Sequence, residues 1–322
     1  MERPLSQDRP AYSVVVPVYN AEETLEELVL RLVQTFAKLN ESYELVFIDD
    51  NSQDRSWEIL RSLRERHAEI RCNQLMRNYG QQNATMCGFR HAKGRYIVTL
   101  DDDLQNPPEE IPALITELNK GYDVVFGVYE SKKHGRYRRW GSWMINKFYA
   151  LTFKTKGRVS AFRILRSDLA EKILEYDLNF SYINGLIAWY TDRASRIYVQ
   201  HQPRPQGRSG YTFRRLLALS INMMTNFSLL PLQIASYAGV LFASTGFIIG
   251  IYFAVKKVLF GSNVSGFSAI MVSISFFSGM ILFFLGIIGE YIGRIHLNIN
   301  RRPQYSIRKE DENTSENKTP KS

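Results

Sequence analysis

Three consecutive carboxylates, Asp101 to Asp103, follow directly after the apolar run Tyr96–Leu100. Such a run is typical of a buried strand, and open α/β sheets bind their ligands just beyond the carboxyl ends of strands. Adjacent carboxylates repel one another unless a cation neutralises them. Mg²⁺ and Mn²⁺ prefer oxygen ligands, so the cluster predicts a divalent metal ion and, through it, a diphosphate partner.

A second acidic pair, Asp49 and Asp50, follows the strand-like segment Glu44–Ile48. If both segments are parallel strands of one sheet, the two acidic clusters lie at the same edge. Either cluster alone is also explained by turn chemistry or helix capping, and that alternative stays open for Asp49 and Asp50. Together the two clusters favour a crevice that binds a nucleotide sugar.

Strand-like and helix-like segments alternate between residues 11 and 128. The predicted strands are Tyr12–Val16, Glu44–Ile48, Ile70–Leu75, Tyr96–Leu100 and Val124–Val128. The predicted helices are Glu22–Leu39, Ser56–His67, Gln82–Ala92 and one opened by Pro107 and Pro108. This βαβα alternation predicts an α/β fold with a mostly parallel, doubly wound sheet.

A basic segment follows the last of these strands. The 322-residue chain has a formal net charge of +9, and 11 Lys and Arg residues but no acid lie between Glu130 and Asp168. Such a segment can bind nucleic acid, anionic lipid or phosphate, or form a solvated face. Because Trp and Tyr accompany the charges, we predict an interfacial helix at Tyr137–Phe153 and no nucleic-acid partner. A core helix with a basic outer face is the alternative.

Two long stretches without a charged residue, Leu216–Val255 and Val258–Gly289, dominate the C-terminal third. Each exceeds the roughly 20 apolar residues that cross a bilayer. They predict spans near Leu232–Val255 and Phe267–Ile288, joined by a turn at Phe260–Gly266. Arginines flank both outer ends of this hairpin, whereas its turn side carries only Lys256 and Lys257. The positive-inside rule then predicts a multi-pass protein of the inner membrane, with the preceding domain and the C-terminus in the cytoplasm.

These patterns divide the chain into five segments. They are a polar N-terminus without a signal-peptide pattern (1–10), a catalytic domain with a basic interfacial segment at 131–158 (11–211), a juxtamembrane helix (212–230), two transmembrane helices (231–292) and a cytoplasmic tail (293–322). The chemistry is therefore expected in the first 211 residues, at a membrane surface.

An ordered series of motifs resembles the polyprenyl-phosphate glycosyltransferases of glycosyltransferase family 2. The motifs are Val14-Val-Val-Pro-Val-Tyr-Asn20, Ile48-Asp-Asp-Asn-Ser52, Arg77-Asn-Tyr-Gly80, Asp101-Asp-Asp-Leu-Gln-Asn-Pro-Pro-Glu109, Gly121-Tyr-Asp-Val-Val125, Ser160-Ala-Phe-Arg163, Pro203-Arg-Pro-Gln-Gly-Arg-Ser-Gly-Tyr211 and Gly289-Glu-Tyr-Ile-Gly-Arg294. The resemblance covers about residues 11–305. It is closest to the aminoarabinose-type bacterial transferases between Arg77 and Pro112.

The resemblance implies a GT-A fold, a divalent metal, a nucleotide-sugar donor and a polyprenyl phosphate acceptor. It implies a donor site formed by Pro17, Tyr19, Asp49, Asp50 and Asp101, and Asp102, which lies beside Asp101, is predicted at the same site. It implies a metal site formed by Asp101, Asp103 and Gln105. Around the acceptor phosphate it places Arg163, Arg204 and Ser209, and nearby charges come from Lys132, Lys133, Arg136 and Arg208. Asp101, Asp103 and Arg163 are then the expected catalytic residues.

Several positions depart from the family pattern. Ala21 replaces a frequent Glu, Asp102 replaces the usual central Ala, and Ala161 replaces an Asp that some members carry. Gly210 and Tyr129 stand where a Lys and an Arg are common, although Arg208 and the pair Lys132 and Lys133 lie nearby. These departures affect the expected donor sugar more than the expected reaction.

The expected reaction is a single displacement with inversion at the anomeric carbon. The acceptor phosphate is already anionic near neutral pH, since its second pKa is about 6, so the missing carboxylate at Ala161 is tolerable. The closest motifs favour a UDP-linked donor and undecaprenyl phosphate, and GDP-mannose is the alternative donor. A polysaccharide synthase would need more spans and a Gln-x-x-Arg-Trp motif, while a non-catalytic scaffold would not need Asp101–Gln105. Related enzymes also imply a possible homo-oligomer.

Overall fold

The computed structural model describes residues 9–129, 159–178, 182–200, 230–260, 267–300 and 303–309. The chain divides into two compact units, one formed by Met1–Ser209 with Arg302–Ser322 and the other by Gly210–Arg301. The first unit contains a β-sheet with helices, and the second contains two long helices. The predicted interfacial helix and juxtamembrane helix lie outside the described residues.

In the described part of the first unit, eight strands form one sheet. They are β1 (Tyr12–Val18), β2 (Tyr43–Asp49), β3 (Ile70–Leu75), β4 (Tyr96–Thr99), β5 (Val124–Val128), β6 (Arg163–Arg166), β7 (Ala194–Tyr198) and β8 (Ile307–Lys309). Their spatial order is β7-β5-β6-β4-β1-β2-β3-β8. All five predicted strands are present, and their predicted bounds differ from these by two residues at most.

The sheet is mixed but mostly parallel, which confirms the predicted sheet type. Strands β3, β2, β1 and β4 run parallel to one another, and β5 runs parallel to β7. Strand β6 is antiparallel to both of its neighbours, β4 and β5, and β8 is antiparallel to β3. All seven residues of β1 are buried, as expected for a central strand covered on both faces, whose sequence must then be nearly continuous in apolar residues.

Six helices connect the strands in the described part of this unit. They are α1 (Leu25–Leu39), α2 (Ser56–Arg66), α3 (Gln81–His91), α4 (Ile111–Leu118), α5 (Ser167–Leu174) and α6 (Ile183–Tyr190). Helix α1 buries the apolar stripe predicted from its spacing, including Leu28 and Leu32, and ends where Asn40 adopts a left-handed conformation and donates to the Phe36 carbonyl. A single 3-10 turn at Pro108–Glu110 precedes α4.

Strand β8 consists of residues that follow the second long helix in the sequence and belongs to the sheet of the first unit. It pairs with the edge strand β3, and the Met76 amide donates to the Ser306 carbonyl at 2.8 Å. The Gln304 amide group donates to the carbonyls of Tyr176 and Leu178, both at 2.9 Å. This strand was not predicted from the sequence. It covers an edge whose backbone groups would otherwise be open to pairing.

The second unit contains α7 (Leu230–Phe260) and α8 (Phe267–Ile299). Each includes a segment long and apolar enough to cross a membrane, Pro231–Tyr252 and Phe276–Ile299, with a mean hydropathy of 1.8. Their apolar side chains are largely exposed, for example Phe247 at 71% and Leu282 at 69%, and an exposed apolar surface of this kind requires a lipid environment or protein partners. The two predicted spans lie within these helices.

Candidate active site at the carboxyl edge of the sheet

The two acidic clusters lie at the same edge of the sheet, as the sequence predicted. Strand β1 has β4 on one side and β2 on the other, and all three run parallel. Asp49 ends β2, while Asp101 comes two residues after the end of β4. The loop after β1 therefore lies between two acidic loops, one after β2 and one after β4.

Asp101 and Asp103 are partly exposed and offer carboxylate oxygens at this edge. The Gln81 side-chain amide donates to one oxygen of Asp101, and the Gln105 main-chain amide donates to Asp103 at 3.1 Å. Leu104, between Asp103 and Gln105, is buried and has a φ of 59°. A left-handed conformation is uncommon for a bulky residue and clusters at functional sites, where surrounding structure enforces it.

The donor set at this edge fits a divalent cation that is shared with a diphosphate. Among the described residues, no group of three or more His, Cys, Asp or Glu could hold a metal ion by itself. Mg²⁺ is commonly bound by one or two carboxylates together with substrate phosphates and water, and not by a closed protein cage. Asp101 and Asp103, with Gln105 beside them, match that kind of site.

The segment after the carboxylates is anchored to helix α1. The Arg31 guanidinium donates to both carboxylate oxygens of Glu109, at 2.9 and 2.7 Å. These bonds raise the pKa of Arg31 and lower the pKa of Glu109. A bidentate pair fixes orientation as well as distance, so it restrains the turn that follows Asp101–Gln105.

Asp102 contacts the loop that follows β1. Its carboxylate accepts a hydrogen bond from the Tyr19 amide at 2.9 Å, and its main-chain carbonyl accepts one from the Thr24 hydroxyl at 2.6 Å. Burial raises the pKa of Asp102 to about 7, and the charges of Asp101 and Asp103 act in the same direction. Asp102 therefore joins the loop after β4 to the loop after β1.

Asp49 and Asp50 are both buried and hold loops in place. Asp49 accepts from the Ser52 amide at 3.2 Å and from the Gln74 side chain at 3.0 Å. Asp50 accepts from the amides of Tyr79 and Gly80 at 2.7 and 2.8 Å. Burial raises the pKa of Asp50 to about 6, against the lowering effect of those two bonds. The turn-forming role left open by the sequence is thus present, alongside the proposed donor role.

Two further donor-site residues predicted from the resemblance lie on β1 and just after it. Pro17 pairs with Ile48 of β2, and the Tyr19 side chain is 46% exposed. Asn20 and Asn51 follow the two strands with φ values of 52° and 59°. Asn tolerates the left-handed region better than most residues, which lets both loops turn sharply at the site.

Arg163 comes to the site from β6, which lies beside β4. In register it pairs with Thr99, two residues before Asp101. It is 2% exposed, and its guanidinium donates to the Asn184 side chain of α6. A buried cation needs polar partners that compensate for lost hydration, so Asn184 helps to set where this charge points.

The side chains that connect these groups were not predicted from the sequence. Gln81 contacts Asp101, and its neighbour Gln82 accepts a hydrogen bond from the Ile183 amide at 3.1 Å. Ile183 begins α6 and precedes Asn184. A usable signal was present, since Asn184 is the one amide side chain in the otherwise apolar sequence of α6. The predicted acceptor-side residues Lys132, Lys133, Arg136, Arg204, Arg208 and Ser209 lie outside the described residues.

Comparison with known proteins agrees with this geometry. Residues 13–174 match glycosyl transferase family 2, and residues 230–295 match the GtrB C-terminal hairpin. The chain is 35% identical over 309 residues to an undecaprenyl-phosphate 4-deoxy-4-formamido-L-arabinose transferase of Proteus mirabilis, covering 92% of this chain and 93% of the relative. A transferase of the same name from an Enterobacter species is 36% identical over 302 residues, with 92% of each chain covered.

The chain belongs to glycosyl transferase family 2. It is a membrane-associated glycosyltransferase, and family membership together with the mixed, mostly parallel sheet confirms the expected GT-A fold. Among solved structures, glucosyl-3-phosphoglycerate synthase from Mycobacterium tuberculosis in complex with Mn²⁺ and UDP is 16% identical. That match has a TM-score of 0.45 and covers 70% of this chain and 84% of the other.

Proposed function

We propose that this protein transfers a sugar from a UDP-linked donor to undecaprenyl phosphate and so makes a lipid-linked sugar for cell-envelope glycan or lipid A modification. The proposal rests on one observation. Asp101, Asp103 and Arg163 lie at one edge of the sheet, in a chain that also has an apolar helical hairpin. The names of the curated relatives support the acceptor and the pathway class.

On the donor side, the nucleoside would lie along Pro17, Tyr19 and the Asp49–Asp50 turn, and the diphosphate would lie toward Asp101 and Asp103. Bound Mg²⁺ or Mn²⁺ would neutralise charge on the leaving diphosphate, an effect of several kcal/mol in comparable sites. Asp101 and Asp103 would hold that ion with Gln105, while Gln81 orients Asp101. The spacing of β1, β2 and β4 sets the distance between the two ends of the donor.

On the acceptor side, an anionic oxygen of the lipid phosphate attacks the anomeric carbon. The bond from that carbon to the diphosphate breaks, and the nucleoside diphosphate leaves with the electron pair, so the anomeric configuration inverts. No proton needs to be removed from the nucleophile, which is consistent with Ala161 in place of a carboxylate. Arg163 would position the incoming phosphate, together with the predicted acceptor-side basic residues.

The proposed orientation places the catalytic unit in the cytoplasm and the hairpin across the inner membrane. Residues 302–322 belong to the same unit as residues 1–209, so both ends of the hairpin connect to one compact unit. A hairpin of two spans returns the chain to the side from which it entered. The basic residues that flank the hairpin indicate that this side is the cytoplasm.

The decisive experiment measures metal-dependent transfer of radiolabelled sugar to extractable lipid by the purified protein, with undecaprenyl phosphate and a panel of UDP and GDP sugars. The double variant Asp101→Ala/Asp103→Ala should lose transfer by at least about a hundredfold. The matched control Glu171→Ala/Glu175→Ala removes two exposed carboxylates, one in α5 and one directly after it, and should keep wild-type activity.

Each alternative has its own outcome in this assay. Transfer from GDP-mannose in place of UDP sugars would identify the other donor class, and polymer formation would indicate a synthase. Absence of transfer from every donor would indicate a non-catalytic scaffold. Retention of the anomeric configuration, measured by NMR on the lipid product, would overturn the single displacement.

A further inference from the structure

Asp102 makes both of its described contacts with a single neighbouring loop. Its carboxylate accepts from the Tyr19 amide, and its main-chain carbonyl accepts from the Thr24 hydroxyl. Tyr19 and Thr24 stand at the two ends of the loop that joins β1 to α1. Asp102, which lies between Asp101 and Asp103, therefore connects their segment to the loop that begins with Tyr19, a proposed nucleoside-binding residue.

The opposite side of the same loop is fixed to the loop between β2 and α2. The Ala21 amide donates to the Ser56 hydroxyl at 2.8 Å, and the Gln53 amide donates to the Asn20 side chain at 2.8 Å. The Arg55 amide donates to Glu22 at 3.0 Å. The loop after β1 is thus held from both sides, and Asp102 supplies bonds on the β4 side.

We propose that Asp102 is a positioning residue that locks the nucleoside-side loop to the metal-side segment. The inference rests on the proposed function, because it assigns the two ends of one donor molecule to these two loops. A donor that must reach both loops binds more tightly when their separation is set before binding. The hydrogen bond from the Tyr19 amide needs an oxygen acceptor on the side chain, so the variant Asp102→Ala could not form it.

A direct role in binding the metal ion or the donor is the competing explanation for a third carboxylate. The two explanations differ in what they require of the side chain. A bridge to the Tyr19 amide requires only an oxygen acceptor, which asparagine also has. A carboxylate that binds a divalent cation owes much of its affinity to its negative charge, so asparagine, which keeps only a neutral oxygen, should bind the ion far more weakly.

The test compares Asp102→Ala, Asp102→Asn and Thr24→Val in the full-length protein. Thr116→Val is the matched control, because its hydroxyl donates only within α4, to the Pro112 carbonyl, and the residue is exposed. Three quantities are measured: hydrogen exchange of peptides covering residues 19–24 without nucleotide, binding of UDP with Mn²⁺ by calorimetry, and KM and kcat for donor transfer.

For Asp102→Ala we expect about tenfold faster exchange in residues 19–24, and a rise of about tenfold to a hundredfold in the UDP dissociation constant and donor KM. The change in kcat should be smaller than the change in KM. Asp102→Asn should recover most of each loss. Thr24→Val should shift the same quantities in the same direction by a smaller factor, and Thr116→Val should leave them unchanged.

The proposal is overturned if Asp102→Ala leaves exchange at residues 19–24 unchanged, or if Asp102→Asn is as impaired as Asp102→Ala. The second result would assign Asp102 to the cation. Failure of the proposed function looks different: the wild-type protein would transfer no sugar to polyprenyl phosphate, while the exchange measurement, which needs no nucleotide, would still report on the bridge.

Discussion

Arg163 is a buried cation at the same edge of the sheet as Asp101 and Asp103. The guanidinium is almost completely excluded from solvent, and Asn184 accepts a hydrogen bond from it. Hydrogen bonds to charged groups contribute about 1.5–3 kcal/mol, enough to decide between rotamers of a long side chain. The direction of this positive charge is therefore set by an amide that no catalytic motif contains.

Replacing Asn184 with Ala should reduce kcat for sugar transfer by about tenfold, because Arg163 loses a partner that orients it. The measurement is steady-state transfer with saturating donor and acceptor. Asn119→Ala, an exposed position at the end of α4, is the matched control and should change nothing. Unchanged kcat in Asn184→Ala would show that Arg163 keeps its position without this contact.

Asp50 gives the stability of the protein a defined pH dependence. Its pKa is about 6 in the fold against an ordinary value of 3.8, so between these values the folded protein holds a proton that the unfolded chain has released. The stability that this proton confers is present at acid pH and is lost as the pH rises through about 6.

Asp50→Asn cannot ionise, so its stability relative to the wild type should improve from about pH 4 to about pH 8, by up to about 3 kcal/mol. The comparison uses unfolding of the detergent-solubilised protein at constant ionic strength. The surface variant Asp192→Asn should show no such trend. A constant difference between Asp50→Asn and the wild type across this range would contradict a raised pKa.

At the scale of elements, strand β8, which follows the hairpin in the sequence, extends the sheet beyond β3. Strand β8 covers β3, the Arg308 guanidinium donates to the Met76 carbonyl at 2.8 Å, and burial raises the pKa of Tyr305 well above its usual value. These contacts connect residues more than 120 positions apart along the chain. They should contribute to the stability of the catalytic unit, and they adjoin Gln74, whose side chain donates to Asp49 at 3.0 Å.

Deleting residues 303–322 should lower the unfolding temperature of the protein by about 5–10 °C, because several hydrogen bonds of about 1 kcal/mol each are lost and the β3 edge is exposed. Deleting only residues 311–322 keeps β8 and is the matched control. Equal unfolding temperatures for the two truncations would refute a stabilising role for the strand.

The central strands and the first helices could be predicted because their signals are local. Strand β1 is a continuous apolar run, and the apolar stripe of α1 has helical spacing. Helix α1 begins at Leu25 and not at Glu22, since residues 21 and 22 are held by side chains of the neighbouring loop. Strand β8 gave no local signal, because three residues form a strand only when another edge is there to pair with them.

The same distinction between local signals and long-range contacts explains which residues of the candidate site could be predicted. The carboxylates at 101 and 103 follow a recognisable strand, so their edge was predictable. The contacts of Asn184 with Arg163 and of Gln82 with Ile183 join segments 21 and 101 residues apart. Pairings of that kind depend on how the helices pack around the sheet, which a single sequence does not reveal.

At the scale of the whole molecule, the return of the chain to the catalytic sheet constrains membrane topology. Residues 1–209 and 302–322, which precede and follow the unit that contains the hairpin, belong to one compact unit, so under the proposed orientation both lie in the cytoplasm. The turn between the two spans must then lie on the other side of the membrane. The path of the chain alone requires the turn to lie opposite the two ends of the hairpin, whereas the assignment of those ends to the cytoplasm rests on the flanking basic residues.

Single cysteines at Asn263, in the turn, and at Ser315, in the C-terminal segment, test this topology. A membrane-impermeant maleimide applied to sealed spheroplasts should label Asn263→Cys, and should label Ser315→Cys only after permeabilisation. The native Cys72 and Cys87 are buried, so the unmodified protein serves as the background control. Labelling of both positions from the same side would contradict a hairpin.

Strand β8 also determines how a water-soluble version of this enzyme can be made. Residues 210–301 interrupt a discontinuous globular domain, so ending an expression clone before α7 would discard part of that domain along with the lipid-facing helices. Joining Ser209 to Arg302 through flexible linkers of several lengths would remove α7 and α8 and retain all eight described strands of the sheet.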